Sequence, residues 1–179
     1  QEVGANVKDF QVGDRVAYAM GLGSYSEERI WGTDRLVKLP DSIEDQDAAA
    51  MMLQGMTAYY LLNRTYKVRA GDTILFYAAA GGVGLIACQW AKYLGATVIG
   101  CVGSKKKAAL AKAHGCDHPI LYREENLAER VKEITNGEGV PVVYDSIGKT
   151  TFDASLDCLR PFGLMVSFGN ASGPVDPFN

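Results

Sequence analysis

The chain has 179 residues, is 47% hydrophobic and 22% charged, and carries a formal net charge of −3; that is ordinary globular composition, with room for one domain and a small extra piece. The mild negative balance gives no footing for nucleic acid or an anionic membrane surface, and no apolar run approaches the roughly 20 residues needed to cross a bilayer. The opening QEVGANVKDF has no basic stretch followed by an apolar one. Without an initiator methionine, the chain is expected to begin inside its gene.

Residues 1–46 are Gly-rich and weakly alternating. VGDRVAY reads as a turn at Gly13–Asp14 leading into a strand, and LVKLP as a strand ending at Pro40. Too few apolar residues remain to close a core, so the segment reads as the tail of a β domain. From Asp47 the period changes. DAAAMMLQGMTAYYLLNRTY predicts helical segments interrupted at Gly55. Strand candidates TILFY, ATVIGC, HPILY, VVYDS and LMVSFG then alternate with helix candidates VGLIACQWAKYL, KKKAALAKAH, ENLAERVKEIT and TTFDASLDCL. Gly95, Gly115 and Gly137 follow three of these helices, where a left-handed residue ends a helix. Such alternation predicts an α/β fold, a doubly wound parallel sheet over residues 47–179, with five strands and a sixth missing.

The cysteines, Cys88, Cys101, Cys116 and Cys158, are dispersed, with no C-x-x-C pair and only His114 and His118 besides. That spacing predicts free thiols in a reducing compartment, by default the cytoplasm, and no metal site. Both histidines fall around a helix end and the next strand, as surface or capping residues.

TILFY runs directly into AAAGGVG, which opens a helix, and this is the setting in which a glycine-rich loop binds a dinucleotide. The helix start offers unsatisfied N–H groups and a partial positive charge to a pyrophosphate. Gly81 and Gly82 remove side chains that would hold the backbone away from the phosphates, and Gly84 permits close helix–strand packing. The pattern reads either as Ala79–Gly81–Gly84 at the common Rossmann spacing or as Ala78-x-x-Gly81-x-x-Gly84 at a wider one. Either way alanine replaces the first glycine, which predicts a backbone conformation that an L-residue tolerates. The second strand ends in GCVGSKKK with no acid to hold a ribose 2′-hydroxyl. Ser104 suits a helix N-cap, which places the lysines in the first helical turn, where their charge opposes the helix dipole. The 2′-phosphate of NADP would relieve that conflict; a solvated lysine run is the plainer alternative.

AAAGGVGLIACQWAKYLGATVIG, REENLAERVKEIT, VVYDSIG and LDCLRPFGLMVSFGNASG, with VGDRVAY, GSYSE and QGMTAYYLL upstream, closely resemble the bacterial NADPH-dependent quinone oxidoreductases. These are zinc-free members of the medium-chain dehydrogenase/reductase superfamily, related to zeta-crystallin. The resemblance covers essentially the whole chain. It implies a GroES-like β domain ending near residue 46, a Rossmann domain over 47–179, NADPH as cofactor, a quinone as acceptor and a homodimeric parent. It places Gly82, Val83, Gly84, Leu85 and Ile86 against the pyrophosphate. Gly103, Ser104 and Lys107 meet the 2′-phosphate, and Tyr122 meets that phosphate or the adenine. Ser146 lies on the adenine side; Thr57, Tyr60, Phe168, Gly169 and Asn170 lie near the nicotinamide. Tyr60, Phe168 and Tyr122 have a structural alternative as packed aromatics. No nucleophile–base dyad is visible and no catalytic residue is assigned, the proton coming from solvent or a nearby tyrosine. An enone or enal reductase, or a binding module without turnover, are the alternatives. As an internal segment missing the start of the β domain and the last sheet strand, the chain alone is expected to bind cofactor poorly, to turn nothing over and to associate through its open edge.

Overall fold

The computed structural model describes residues 1–178, in two compact units, Gln1–Met56 and the remainder from Thr57. In the first, strands β1 (Val16–Ala17) and β2 (Val37–Lys38) pair antiparallel, with Ala17 opposite Val37. Ala17 and Ala48 are the buried hydrophobic residues among the described part of this unit. Polar contacts carry much of its order. Lys38 pairs with Asp14 at 2.8 Å, and the Arg15 guanidinium donates to Asp45 and to the Ile43 carbonyl. Arg29 lies over the rings of Tyr18 and Trp31.

Helix α1 (Asp45–Tyr60) begins in the first unit and ends in the second. It runs unbroken through Gly55, correcting the expected interruption. A helical glycine costs about 1 kcal/mol relative to alanine but keeps its N–H, so the ladder continues. A π-helical turn, Leu61–Thr65, closes it and buries Leu61 and Leu62.

The second unit is a five-stranded parallel sheet in the order β5-β4-β3-β6-β7. Its elements in chain order are β3 (Thr73–Phe76), α2 (Gly82–Tyr93), β4 (Thr97–Val102), α3 (Lys105–Ala113), β5 (His118–Leu121), α4 (Leu127–Ile134), β6 (Val140–Asp145), α5 (Phe152–Asp157) and β7 (Leu159–Ser167). This is the expected Rossmann α/β arrangement. Alternation within the strands divides the core in two. Ile74, Phe76 and Val98 pack with Ala87, Cys88, Ala91 and Ala111 on one face. Leu75, Tyr77, Ile99 and Cys101 pack with Leu127 and Val131 on the other. Gly95, Gly115 and Gly137 have φ of 85°, 91° and 89°, as their places after α2, α3 and α4 require.

Two strands extend beyond their expected limits. β6 starts at Val140, because Pro141 sits where the ladder to β7 shifts register and needs no donated N–H; it ends at Asp145, leaving Ser146 outside. β7 starts at Leu159, because the chain through Arg160–Gly163, with Phe162 at φ 62°, is absorbed as an irregularity in the edge strand. The four cysteines are buried and unpaired. Among the described residues no helix is long and apolar enough to cross a membrane.

Away from the strand C-termini, Asp117 ties three elements together. It accepts from the Val98 N–H at 2.9 Å and pairs with Lys92 of α2. Partial burial raises its pKa, but Lys92 and the Val98 N–H together outweigh that, and the net result lies below the usual 3.8. A carboxylate lowered on folding stabilises above its unfolded pKa and loses that contribution as pH falls through the folded value. Asp117→Asn is therefore expected to cost about 1 kcal/mol near pH 7, with the deficit closing in acid below the folded pKa. Urea unfolding at both pH values checks this; an unchanged deficit in acid would contradict it.

Candidate functional site

The strand order reverses at β3, which has β4 on one side and β6 on the other. In open parallel sheets the crevice at such a point, beyond the strand C-termini, is where ligands lodge. A cavity of about 470 Å³ lies there, walled by the β3–α2 loop, the start of α3, the residues after β5 and the β6–α5 turn.

The β3–α2 loop is held by Ala79 N–H donating to Cys101 O at 3.2 Å and Gly81 N–H to Ala78 O at 2.8 Å. Ala78 has φ 50°. The alanine at the wide-spacing position is thus left-handed, correcting the expectation of a conformation comfortable for any L-residue; the cost is about 1–2 kcal/mol. Gly81 is the N-cap of α2 and supplies no side-chain acceptor, and no acid lies in the first turn. The helix start is therefore uncompensated and faces outward from an exposed Gly82. A Cβ on buried Gly84 would lie 2.3 Å from Ala78 O and 2.7 Å from the Ala79 backbone, so only glycine allows α2 to sit this close. Val83 and Ile86 turn their side chains into the core, and Leu85 N–H bonds Gly81 O.

At the second wall Ser104 caps α3, its hydroxyl accepting from Lys107 N–H at 3.3 Å, and Lys105, Lys106 and Lys107 fill the first turn with no acid beside them. Among the described residues none of the three is in an ion pair. Lys107 lines the cavity with Gly103 and Ser104; Lys105 and Lys106 do not. The Tyr122 ring lies against Gly103, its hydroxyl 3.4 Å from where a Gly103 Cβ would stand, an ordinary contact. Arg123, stacked 5.7 Å from the Tyr122 ring centroid, brings a second cation to the cavity. Cys101 lines the floor, and burial raises its thiol well above the ordinary value, so it stays a neutral group there.

The β6–α5 turn contributes Ile147, Thr150 and Thr151. Ser146 does not line the cavity; its backbone lies against Gly169, where a Cβ would come within 2.8 Å of Ser146 O. Phe168, Gly169 and Asn170 border a shallower hollow with Ser167, Pro174 and Val175, and Phe168 also packs 5.7 Å from the Phe76 ring. Thr57 and Tyr60 lie in the last turns of α1, and Tyr60 is 41% exposed. His114 is the C-cap of α3, its Nδ1 2.8 Å from Leu110 O. The structure brings Gly81, Gly103, Ser104, Lys107 and Tyr122 of the expected site residues around one cavity, beside Arg123, Thr150 and Thr151, which the sequence reading did not single out. A cation directly after Tyr122 was the available signal for the first; the other two follow the turn begun at Asp145.

Residues 82–179 match the family model described as zinc-binding dehydrogenase. The chain belongs to the zinc-binding dehydrogenase family. Among the described residues no three His, Cys, Asp or Glu side chains converge on a common point. The chain is 58% identical over 180 residues to a quinone oxidoreductase of Pseudomonas aeruginosa, across 100% of this chain and 55% of that protein. It is 52% identical over 180 residues to a 2-haloacrylate reductase of a Burkholderia species, across 99% of this chain and 54% of that one. The crystal structure of Escherichia coli quinone oxidoreductase complexed with NADPH superposes with a TM-score of 0.97 at 54% identity, covering 99% of this chain and 55% of that one. The chain thus spans about half the length of the relatives it matches.

Proposed function

We propose that this chain is the cofactor-binding half of an NADPH-dependent quinone oxidoreductase. The observation that carries the reading is the cavity at the strand reversal, bordered by Lys107 and Arg123 with no acid at the end of β4. Such a wall suits a dinucleotide with an extra phosphate and leaves the 2′-hydroxyl of NADH without its usual carboxylate partner. The first turn of α2, Gly81 to Ile86, takes the pyrophosphate on its backbone N–H groups. Gly103, Ser104, Lys107 and Tyr122 take the 2′-phosphate, with Arg123 beside them; Ser146 backs the adenine side. Thr57, Tyr60, Phe168, Gly169 and Asn170 border the nicotinamide.

When bound, NADPH supplies the hydride; the quinone takes it with one proton from water and leaves as hydroquinone. This chain's residues contribute orientation and phosphate binding. Similarity to the P. aeruginosa and E. coli quinone oxidoreductases supports the acceptor. Similarity to a 2-haloacrylate reductase favours a second reading, reduction of an activated carbon–carbon double bond. Buried, unpaired cysteines support a cytoplasmic setting.

The test uses the protein as its gene encodes it, assayed for NADPH oxidation with matched panels of quinones and activated alkenes. Turnover of quinones is expected. Turnover of alkenes alone would favour the second reading, and cofactor binding without turnover of either would leave only a binding module.

A further inference from the structure

Asp145 ends β6 and is fully buried, with 0% exposure. Among the described residues no cation pairs with it. Its carboxylate is met by four neutral donors. Oδ1 accepts from Ile147 N–H at 2.7 Å and Gly148 N–H at 3.1 Å. Oδ2 accepts from the Thr151 hydroxyl at 2.7 Å and the Ser155 hydroxyl at 3.0 Å. Ser155 Oγ has one proton and three oxygens in reach: Asp145 Oδ2, Thr151 O at 2.8 Å and Tyr77 Oη at 3.1 Å. An ionised carboxylate is the strongest acceptor of the three, so the proton goes to Asp145 and the Tyr77 hydroxyl donates to Ser155. The Asp145 carbonyl also accepts from Phe168 N–H at 2.9 Å.

A buried charge is costly unless every lone pair is used, and packing alone does not call for one. This carboxylate is an obligate acceptor, and two of its four donors, Ile147 and Thr151, line the cavity. A third, Ser155, hydrogen-bonds Tyr77, which lines the cavity from the β3–α2 side. We propose that Asp145 is a positioning residue. Its hydrogen bonds to Ile147, Gly148, Thr151 and Ser155 fix the β6–α5 turn and Tyr77 as the preformed adenosine wall of the cavity. The proposal rests on the dinucleotide reading above. It differs from the Lys107 assignment in what it discriminates: a shaped wall serves NADPH and NADH alike.

In the protein as its gene encodes it, the experiment titrates both cofactors, following tryptophan fluorescence, into the wild type, Asp145→Asn, Thr151→Val and the control Asp117→Asn, with melting temperatures for all. In Asp145→Asn the Oδ1 contacts survive, but an amide N–H₂ meets the two hydroxyls, which must turn away. Both cofactors are expected to weaken by about tenfold, the equivalent of roughly 1.4 kcal/mol, with their affinity ratio unchanged. Thr151→Val, which keeps the shape and deletes the hydroxyl, is expected to weaken both in the same direction and serves if Asp145→Asn does not fold. Asp117→Asn lowers the melting temperature without moving either affinity, separating lost stability from lost positioning. Variants that melt lower yet bind both cofactors like wild type would make the cluster purely structural and overturn the proposal. A loss confined to NADPH would overturn it too. A wild type that binds neither cofactor would instead defeat the dinucleotide reading, and this proposal with it.

Discussion

Lys107→Ala is expected to weaken NADPH binding by about 10- to 100-fold while leaving NADH within about twofold. Deleting one charged donor to a phosphate removes about 1.5–3 kcal/mol, and each 1.4 kcal/mol is tenfold. Three observations direct the effect to this lysine. Its backbone N–H is fixed by the Ser104 cap at 3.3 Å, which aims its side chain from the first turn of α3. It lines the cavity, whereas Lys105 and Lys106 do not. No carboxylate in the described residues pairs with it, so its charge is available to a ligand. Lys105→Ala and Lys106→Ala are accordingly expected to change NADPH affinity by less than about threefold, through long-range attraction that salt screens within roughly 10 Å. Lys107→Glu should weaken NADPH further than Lys107→Ala does, because a carboxylate in the first turn of α3 would repel the 2′-phosphate. Isothermal titration with both cofactors at two salt concentrations measures this. Equal losses for NADPH and NADH in Lys107→Ala would remove the 2′-phosphate from this wall.

The parallel sheet was legible because its central strands are short apolar runs buried on both faces, and because glycines stand where helices end. The capping of α3 was legible for a related reason: Ser104 and Lys107 are three residues apart, and a cap is a local contact. What escaped was either tolerated irregularity or long-range. Pro141 and the Arg160–Gly163 segment lay outside the strands expected from the sequence, yet the β6–β7 pair takes in both through one register shift between Val140 and Val142. Gly55 read as a break but lies inside a helix carried by its neighbours. The left-handed Ala78 has no composition signal, since its conformation is imposed by the loop's bonds to Cys101 and Gly81. The hydrogen bond joining Tyr77 to Ser155 spans 78 residues of chain. No spacing rule reaches that far; only the strand order that sets β3 beside β6 brings the two together.

Gly84→Ala is expected to be the most damaging small substitution in the sheet domain, and Gly55→Ala, the same change in another helix, is expected to stabilise. Intrinsic propensity favours alanine over a helical glycine by about 1 kcal/mol at both sites. At Gly55 nothing lies within 4 Å of the new Cβ, so that gain stands. At Gly84 the Cβ would stand 2.3 Å from Ala78 O and 2.7 Å from Ala79 C and Cα. These are backbone atoms and cannot swing aside like a side-chain tip. Either α2 lifts from the sheet or the loop before it moves. Lifting α2 separates Ala87, Cys88 and Ala91, which are 1%, 0% and 0% exposed, from the strands they cover, and contacts in a close-packed interior fall away within an ångström. Moving the loop dislodges Ala78 and Gly81, which wall the cavity. Overpacking against rigid backbone is expected to cost about 3–5 kcal/mol, several times the propensity gain, and to lower the melting temperature by about 10 °C. Cofactor affinity should fall with it, because the N–H groups at the start of α2 shift by the same displacement. Paired thermal melts of Gly84→Ala and Gly55→Ala beside wild type, with an NADPH titration of each, test the contrast. If Gly84→Ala melted and bound like wild type, α2 would have slack above Ala78 and Ala79, and close helix–strand contact would not be the reason for glycine at that position.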